Sequence, residues 1–186
     1  MRSKYYLWLL ALVTVALWAF TIQKATTIFG SSAALEIFIR PISWETYLEN
    51  QLLEDMNQAR VDQGLAPLQT DSILADVARQ RSTDMASQGY VGHTSPTGET
   101  AFSLLEKENL IWSLAGENIA YNNYPNKKSA SVAFSGLMAS QKHRQNILYA
   151  GYNLIGVAVV ISPNGDKYFT TIFAEVENPE GVIGRP

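Results

Sequence analysis

Residues 154–174 read LIGVAVVISPNGDKYFTTIFA, and this stretch decides the class of fold. Two runs rich in β-branched and aromatic residues, 154–161 and 168–174, have the composition of β-strands. Between them Pro163, Asn164, Gly165 and Asp166 form a strong turn signal. The pattern therefore predicts an antiparallel hairpin near the end of the chain.

Upstream of the hairpin the period changes, because apolar residues recur every three to four positions as they do on one face of a helix. Four helices are predicted: from Ser43 to Gly64, from about Asp71 to Gly89, from Glu99 to Asn109 and from Lys128 to Ser140. Four helices followed by a hairpin predict an α+β domain in which helices cover a small antiparallel sheet.

Composition and charge exclude several classes of protein. Of the 186 residues 47% are hydrophobic and none is cysteine, which argues against disorder and excludes disulfides and thiolate chemistry. The net charge is −3, but the first forty residues hold four basic groups and one acidic group, so the remainder carries ten basic and sixteen acidic groups. Such an acidic domain lacks the positive surface that binds a phosphate backbone, and no nucleic-acid partner is expected.

The N-terminal segment 1–24 is predicted to be a transmembrane anchor. Residues 5–22 contain no charge, Trp8 and Trp18 lie near the two ends, and Arg2 and Lys4 precede them. The alternative is a cleaved signal segment, which would make the protein secreted. With an uncleaved anchor the protein would cross the cell membrane once and place its domain outside the cytoplasm, and the lack of cysteine favours a bacterial cell envelope.

These signals give a domain plan for the whole chain. After the segment 1–24 we expect a linker over 25–42, one folded domain over 43–177 and a flexible tail over 178–186, which contains two prolines and two glycines.

The candidate chemistry centres on three residues. The chain has two histidines, His93 in the loop sequence Gly-His-Thr-Ser-Pro and His143 in Ser-Gln-Lys-His-Arg-Gln-Asn-Ile-Leu. Between them Glu117 lies in Gly-Glu-Asn-Ile-Ala, a run of apolar and small residues. A carboxylate there must be solvated in a cleft, hydrogen-bonded or paired, because burying it alone is costly.

Taken in order, these three motifs and the terminal hairpin resemble the CAP superfamily in its bacterial SCP-like branch, over about residues 48–176. The resemblance implies a three-layer α-β-α sandwich with a central cleft, and it places His93, Glu117 and His143 in that cleft. Two positions differ from the family pattern. Leu137 stands where many members have tryptophan, and no acidic residue between Ser129 and Ser140 can supply the second cleft glutamate of eukaryotic members.

Three interpretations of the cleft remain open from the sequence. Two imidazoles and a carboxylate are the ligands of an open zinc site, so His93, Glu117 and His143 could bind a divalent metal in a metal-dependent hydrolase or peptidase. The same residues could instead recognise a cell-surface lipid, glycan or peptide, with or without a metal. In a structural surface protein they would only hold the loops together.

Three further residues are predicted to line the cleft and contact a ligand: Ser95, Asn118 and Arg144. Two of them have alternative roles, because Ser95 precedes a proline and could form a turn, and Arg144 could bind carbonyls at a helix end. No residue is assigned as catalytic from the sequence.

Overall fold

The computed structural model of the chain describes residues 42–177. The predicted membrane segment, residues 25–41 of the linker and the tail 178–186 lie outside the described residues. Within 42–177 none of the helices combines the length and the hydropathy that crossing a bilayer requires.

The described part of the chain forms five helices and four strands. The helices are α1 (Trp44–Asp62), α2 (Ser72–Gln88), α3 (Ala101–Lys107), α4 (Asn126–Ala139) and α5 (Gln141–Ile147); the strands are β1 (Gln69–Thr70), β2 (Leu114–Asn122), β3 (Leu154–Ile161) and β4 (Lys167–Glu175).

The helix ends follow local capping rules. Ser43 accepts a hydrogen bond from the Thr46 N–H at the start of α1, and Asp71 accepts one from the Leu74 N–H at the start of α2. Gly89 ends α2 with a φ of 69°, a left-handed conformation that glycine adopts without a steric penalty. These boundaries agree with the pattern of the sequence because each depends on a few neighbouring residues.

The sheet is mixed, with strand order β1-β3-β4-β2. The hairpin of β3 and β4 is present, and β2 pairs antiparallel with β4, but β1 runs parallel to β3. The prediction of a purely antiparallel sheet is therefore wrong. The two-residue β1 has no alternating pattern of its own, and it is held beside β3 partly because Asn57 hydrogen-bonds both the N–H and the C=O of Leu68.

Helices pack on both faces of the sheet, and each face has its own hydrophobic core. Side chains of β3 alternate between the faces, so Ile155, Val157 and Val159 pack with residues of α1 and α4, whereas Leu154 and Ala158 pack with residues of α2 and α3. In the strand order, β2 forms one edge of the sheet, and the candidate site lies at this edge.

Candidate functional site

Glu117 lies in the middle of β2, and its side chain is only 2% exposed. Its Oε1 accepts a hydrogen bond from Nε of Arg81 at 3.1 Å, and its Oε2 lies 2.7 Å from Nδ1 of His93. Because an ionised carboxylate can only accept hydrogen bonds, the Nδ1 of His93 is the donor and its Nε2 remains for another partner. Both carboxylate oxygens of Glu117 are thus already engaged within the protein.

Arg81 is the residue of this site that the sequence interpretation missed. It lies on α2 with a side chain that is 1% exposed, and besides Glu117 it donates to the Tyr90 hydroxyl at 2.9 Å and to the Gly92 C=O at 2.6 Å. Its position could have been noticed, because it falls on the apolar face of α2 between Val77 and Met85. A charge on such a face needs a buried partner, which here is Glu117.

Arg81 also positions the loop that carries His93. Its bond to the Gly92 C=O lies one residue before the imidazole, so α2, β2 and the loop meet at a single guanidinium group. The hydrogen bond and the negative charge of Glu117 raise the pKa of His93, while burial and the positive charge of Arg81 oppose that rise. His93 therefore favours the imidazolium form more than an isolated histidine does.

His143 lies on the short helix α5, which is bonded to β2. The Asn118 side chain donates from Nδ2 to the His143 C=O at 3.0 Å, and the Asn146 side chain donates to Asn118 Oδ1 at 2.8 Å. The ring centroids of His93 and His143 are 6.5 Å apart. Burial and the neighbouring His93 lower the pKa of His143, so the two rings favour different protonation states.

The structure thus brings His93, Glu117 and His143 together, whereas the three further predicted residues bond within the protein. Ser95 Oγ accepts a hydrogen bond from the Glu99 N–H at 2.9 Å and closes a turn. Arg144 donates to the Met138 C=O at 2.7 Å, near the end of α4, and Asn118 supports α5 as described. Ligand contact by these three residues stays a prediction.

The predicted metal ligands do not form a ready-made three-ligand centre. Across residues 42–177, no group of three or more histidine, cysteine or acidic side chains is placed to hold a metal ion. Both carboxylate oxygens of Glu117 are bonded within the protein, to Arg81 and to His93. Two imidazoles on a tetrahedral zinc would have ring centroids about 5.3 Å apart, so His93 and His143 would need to approach by about 1 Å to share an ion.

The comparisons with known proteins agree with this arrangement of elements. The family model described as "CAP: Cysteine-rich secretory protein family" matches residues 53–173. The uncharacterized protein YkwD of Bacillus subtilis is 37% identical over 122 residues, which are 66% of this chain and 46% of that relative. The uncharacterized membrane protein YlbC of the same organism is 35% identical over 129 residues, 69% of this chain and 35% of that relative.

A solved structure is also similar. An extracellular protein from Bacillus anthracis that contains an SCP domain is 31% identical, with a TM-score of 0.62, over 71% of this chain and 41% of that one. The chain therefore matches less than half the length of each of these three relatives.

Proposed function

This chain belongs to the CAP family, the cysteine-rich secretory protein family, and on that premise we propose that it is an envelope protein whose cleft recognises a ligand. The cleft consists of His93, Glu117 and His143. The ligand is a lipid, glycan or peptide of the cell surface, and the segment 1–24 holds the domain outside the cytoplasm as a single-pass anchor. Similarity to the membrane protein YlbC and to an extracellular SCP-domain protein supports this placement.

One observation carries the proposal. Glu117 is bonded by Arg81 at one oxygen and by His93 at the other, so it is an orienting group rather than a free base. A histidine that donates from Nδ1 to a carboxylate presents its Nε2 in a fixed direction, which is the usual support for an imidazole that binds a metal or a ligand atom. The half-buried His143 offers a second nitrogen nearby.

A divalent metal would have two protein ligands here, once the rings of His93 and His143 had approached by about 1 Å. His93, through Nε2, and His143 would hold the ion, and Glu117 would orient the His93 ring without touching the metal. A bound divalent ion would supply an electrophilic centre for an oxygen atom of the ligand. The other side chains act on the protein: Arg81 holds the carboxylate of Glu117 in place, and Asn118 holds the backbone of His143.

Hydrolysis is the second candidate function, and one observation favours it. The pKa of His93 is raised and that of His143 is lowered, and such a divergent pair can supply an acid and a base. Against it, the only carboxylate of the cleft among the described residues is engaged on both oxygens. Recognition therefore agrees better with the geometry than catalysis.

Zinc binding tests the metal part of the proposal. In calorimetric titrations of the full chain in detergent we expect one zinc ion per chain. His93→Ala and His143→Ala should each abolish binding, whereas Glu117→Gln should weaken it about 10- to 100-fold, because only the orientation of His93 is lost. Lys142→Ala is the matched control beside His143 and should bind zinc normally.

Two results would contradict this part of the proposal. One is the absence of zinc binding by the wild-type chain at neutral pH. The other is zinc binding that survives both histidine substitutions, because the ion would then lie elsewhere.

A further inference from the structure

The hydrogen-bond pattern of the sheet shows which backbone groups of β2 are free. At the turn of the hairpin the Ser162 N–H donates to the Asp166 C=O at 2.8 Å, so these two residues form a hydrogen-bonded pair. In an antiparallel ladder such pairs recur at every second residue. The even-numbered residues 168, 170 and 172 of β4 therefore bond to β3, and the odd-numbered residues 169, 171 and 173 bond to β2.

The partners of those odd-numbered residues are Ala120, Asn118 and Gly116 of β2. The residues between and beyond them, Glu117, Ile119 and Tyr121, direct their N–H and C=O groups away from β4, towards the outer edge of the sheet. The contact from Asn146 Nδ2 to the Glu117 C=O, at 3.4 Å, has the direction that this assignment requires. Beyond Glu117, the outward N–H and C=O groups of Ile119 and Tyr121 have no hydrogen-bond partner within residues 42–177.

At the opposite edge of the sheet, the outward backbone groups of Val159 are hydrogen-bonded by side chains. Beyond the short β1, the edge of β3 at Val159 is occupied by side chains, because Glu49 accepts from the Val159 N–H at 2.9 Å and Arg79 lies 3.4 Å from its C=O. Glu49 and Arg79 also form an ion pair with each other. Charged side chains on a sheet edge prevent pairing with another chain. No such pair covers Ile119 and Tyr121 in the part of the chain that the structure describes.

From this contrast we propose that the outer edge of β2 at Ile119 and Tyr121 binds an extended peptide segment of a partner protein as an added strand, which leads along the edge to His93 and His143. The inference rests on the proposed function, since it assigns the peptide class to the ligand of that cleft. Two residues with outward-facing N–H and C=O groups offer two donors and two acceptors to an extended backbone.

The site favours an extended backbone as its occupant. Glu117 lies just before the free positions, with its side chain 2% exposed, and the ring centroids of His93 and His143 lie 6.5 Å apart beside it. The side chain of Ile119 packs with Met85 and Tyr168, so Ile119 offers a partner only its backbone groups, which an extended peptide backbone matches. Tyr121, 46% exposed and packed against Tyr168, offers an aromatic surface to the side chains of the peptide.

Amide hydrogen exchange of the full chain in detergent tests this inference. The probe is a capped octapeptide of alternating valine and threonine with one lysine for solubility. Without the probe, the amides of Ile119 and Tyr121 should exchange much faster than those of Asn118 and Ala120. With the probe at about ten times its dissociation constant, exchange at Ile119 and Tyr121 should slow about tenfold.

Two controls isolate the backbone contacts. The same peptide carrying N-methyl groups at alternate residues of its bonding edge should give no protection. Tyr121→Pro removes one outward N–H donor without affecting the bonds to β4, and it should weaken binding of the peptide. Tyr121→Ala keeps that donor and should weaken peptide binding less.

The inference is overturned if the parent peptide leaves both amides unprotected, or if the N-methylated peptide protects them equally. Protection that grows with protein concentration alone would make a second copy the occupant, and protection by anionic lipid vesicles instead of the peptide would make it a lipid; both also overturn it. The exchange is measured without zinc, so failure here leaves the zinc titration unaffected, and a failed zinc titration leaves this result standing.

Discussion

Replacing Glu117 with alanine is expected to lower the free energy of unfolding by about 3 to 5 kcal/mol, because the change leaves the guanidinium of Arg81 buried without its hydrogen-bonded counter-charge. Arg81 would keep its bonds to Tyr90 and Gly92, which carry no negative charge, and a longer ion pair with Asp84 at 3.9 Å. His93 would lose its carboxylate partner as well. Urea unfolding of the full chain in detergent measures the loss.

Glu99→Ala is the matched control for this experiment. Glu99 pairs with Lys107 at the surface, where the side chain of Lys107 is 63% exposed, so its loss should cost less than about 1 kcal/mol. If Glu117→Ala lowered the stability as little as Glu99→Ala, the buried pair of Arg81 and Glu117 would not be stabilising the domain.

Replacing Gly156 with alanine should be comparably damaging for a steric reason. Gly156 lies in β3 directly under α2, and a Cβ atom there would overlap main-chain atoms of Leu74 and Ala75. Main-chain atoms within a helix cannot rotate away as a side chain can, so α2 must shift from the sheet. We expect a loss of about 3 kcal/mol or more, measured by urea unfolding.

The corresponding control is Gly136→Ala on α4. Apart from its chain neighbours and the backbone of its own helix, no atom lies within 4 Å of the Cβ position of Gly136. Alanine is also the better helix former, so this variant should be unchanged or more stable by up to about 1 kcal/mol. Equal stability of the two alanine variants would mean that α2 and β3 are not packed as closely as described.

The elements that could be predicted from the sequence depend on nearby residues. The hairpin follows from two β-branched runs and a four-residue turn, and the ends of α1 and α2 follow from Ser43, Asp71 and Gly89. Each of these signals acts over a few positions, and tertiary packing does not override it.

The features that were missed depend on distant residues. The small and polar residues of β2 show no strand alternation, and the segment becomes a strand because β4 pairs with it. Arg81 is a charged residue on an apolar helix face, and its partner Glu117 lies 36 positions further along the chain. The sequence alone does not show that these two residues meet. The motifs indicated His93, Glu117 and His143 as candidate residues, but only the fold shows that Glu117 is bonded to Arg81.

This bond decides how the cleft is interpreted. A glutamate with a free oxygen could act as a metal ligand or a base, whereas one shared between Arg81 and His93 orients the imidazole and leaves the other ring nitrogen for recognition. The hydrogen bond between His93 and Glu117 raises the pKa of His93, whereas burial and the neighbouring His93 lower the pKa of His143.

The most direct test is an NMR titration of the two imidazole rings in the full, metal-free chain between about pH 4 and 9. Histidine normally titrates near 6.5. We expect His93 to titrate above that value and, when neutral, to carry its proton on Nδ1, while His143 titrates below it. In Glu117→Gln the pKa of His93 should fall. Two rings that titrate together near 6.5, or a His93 that is protonated on Nε2 and unaffected by Glu117→Gln, would contradict this prediction.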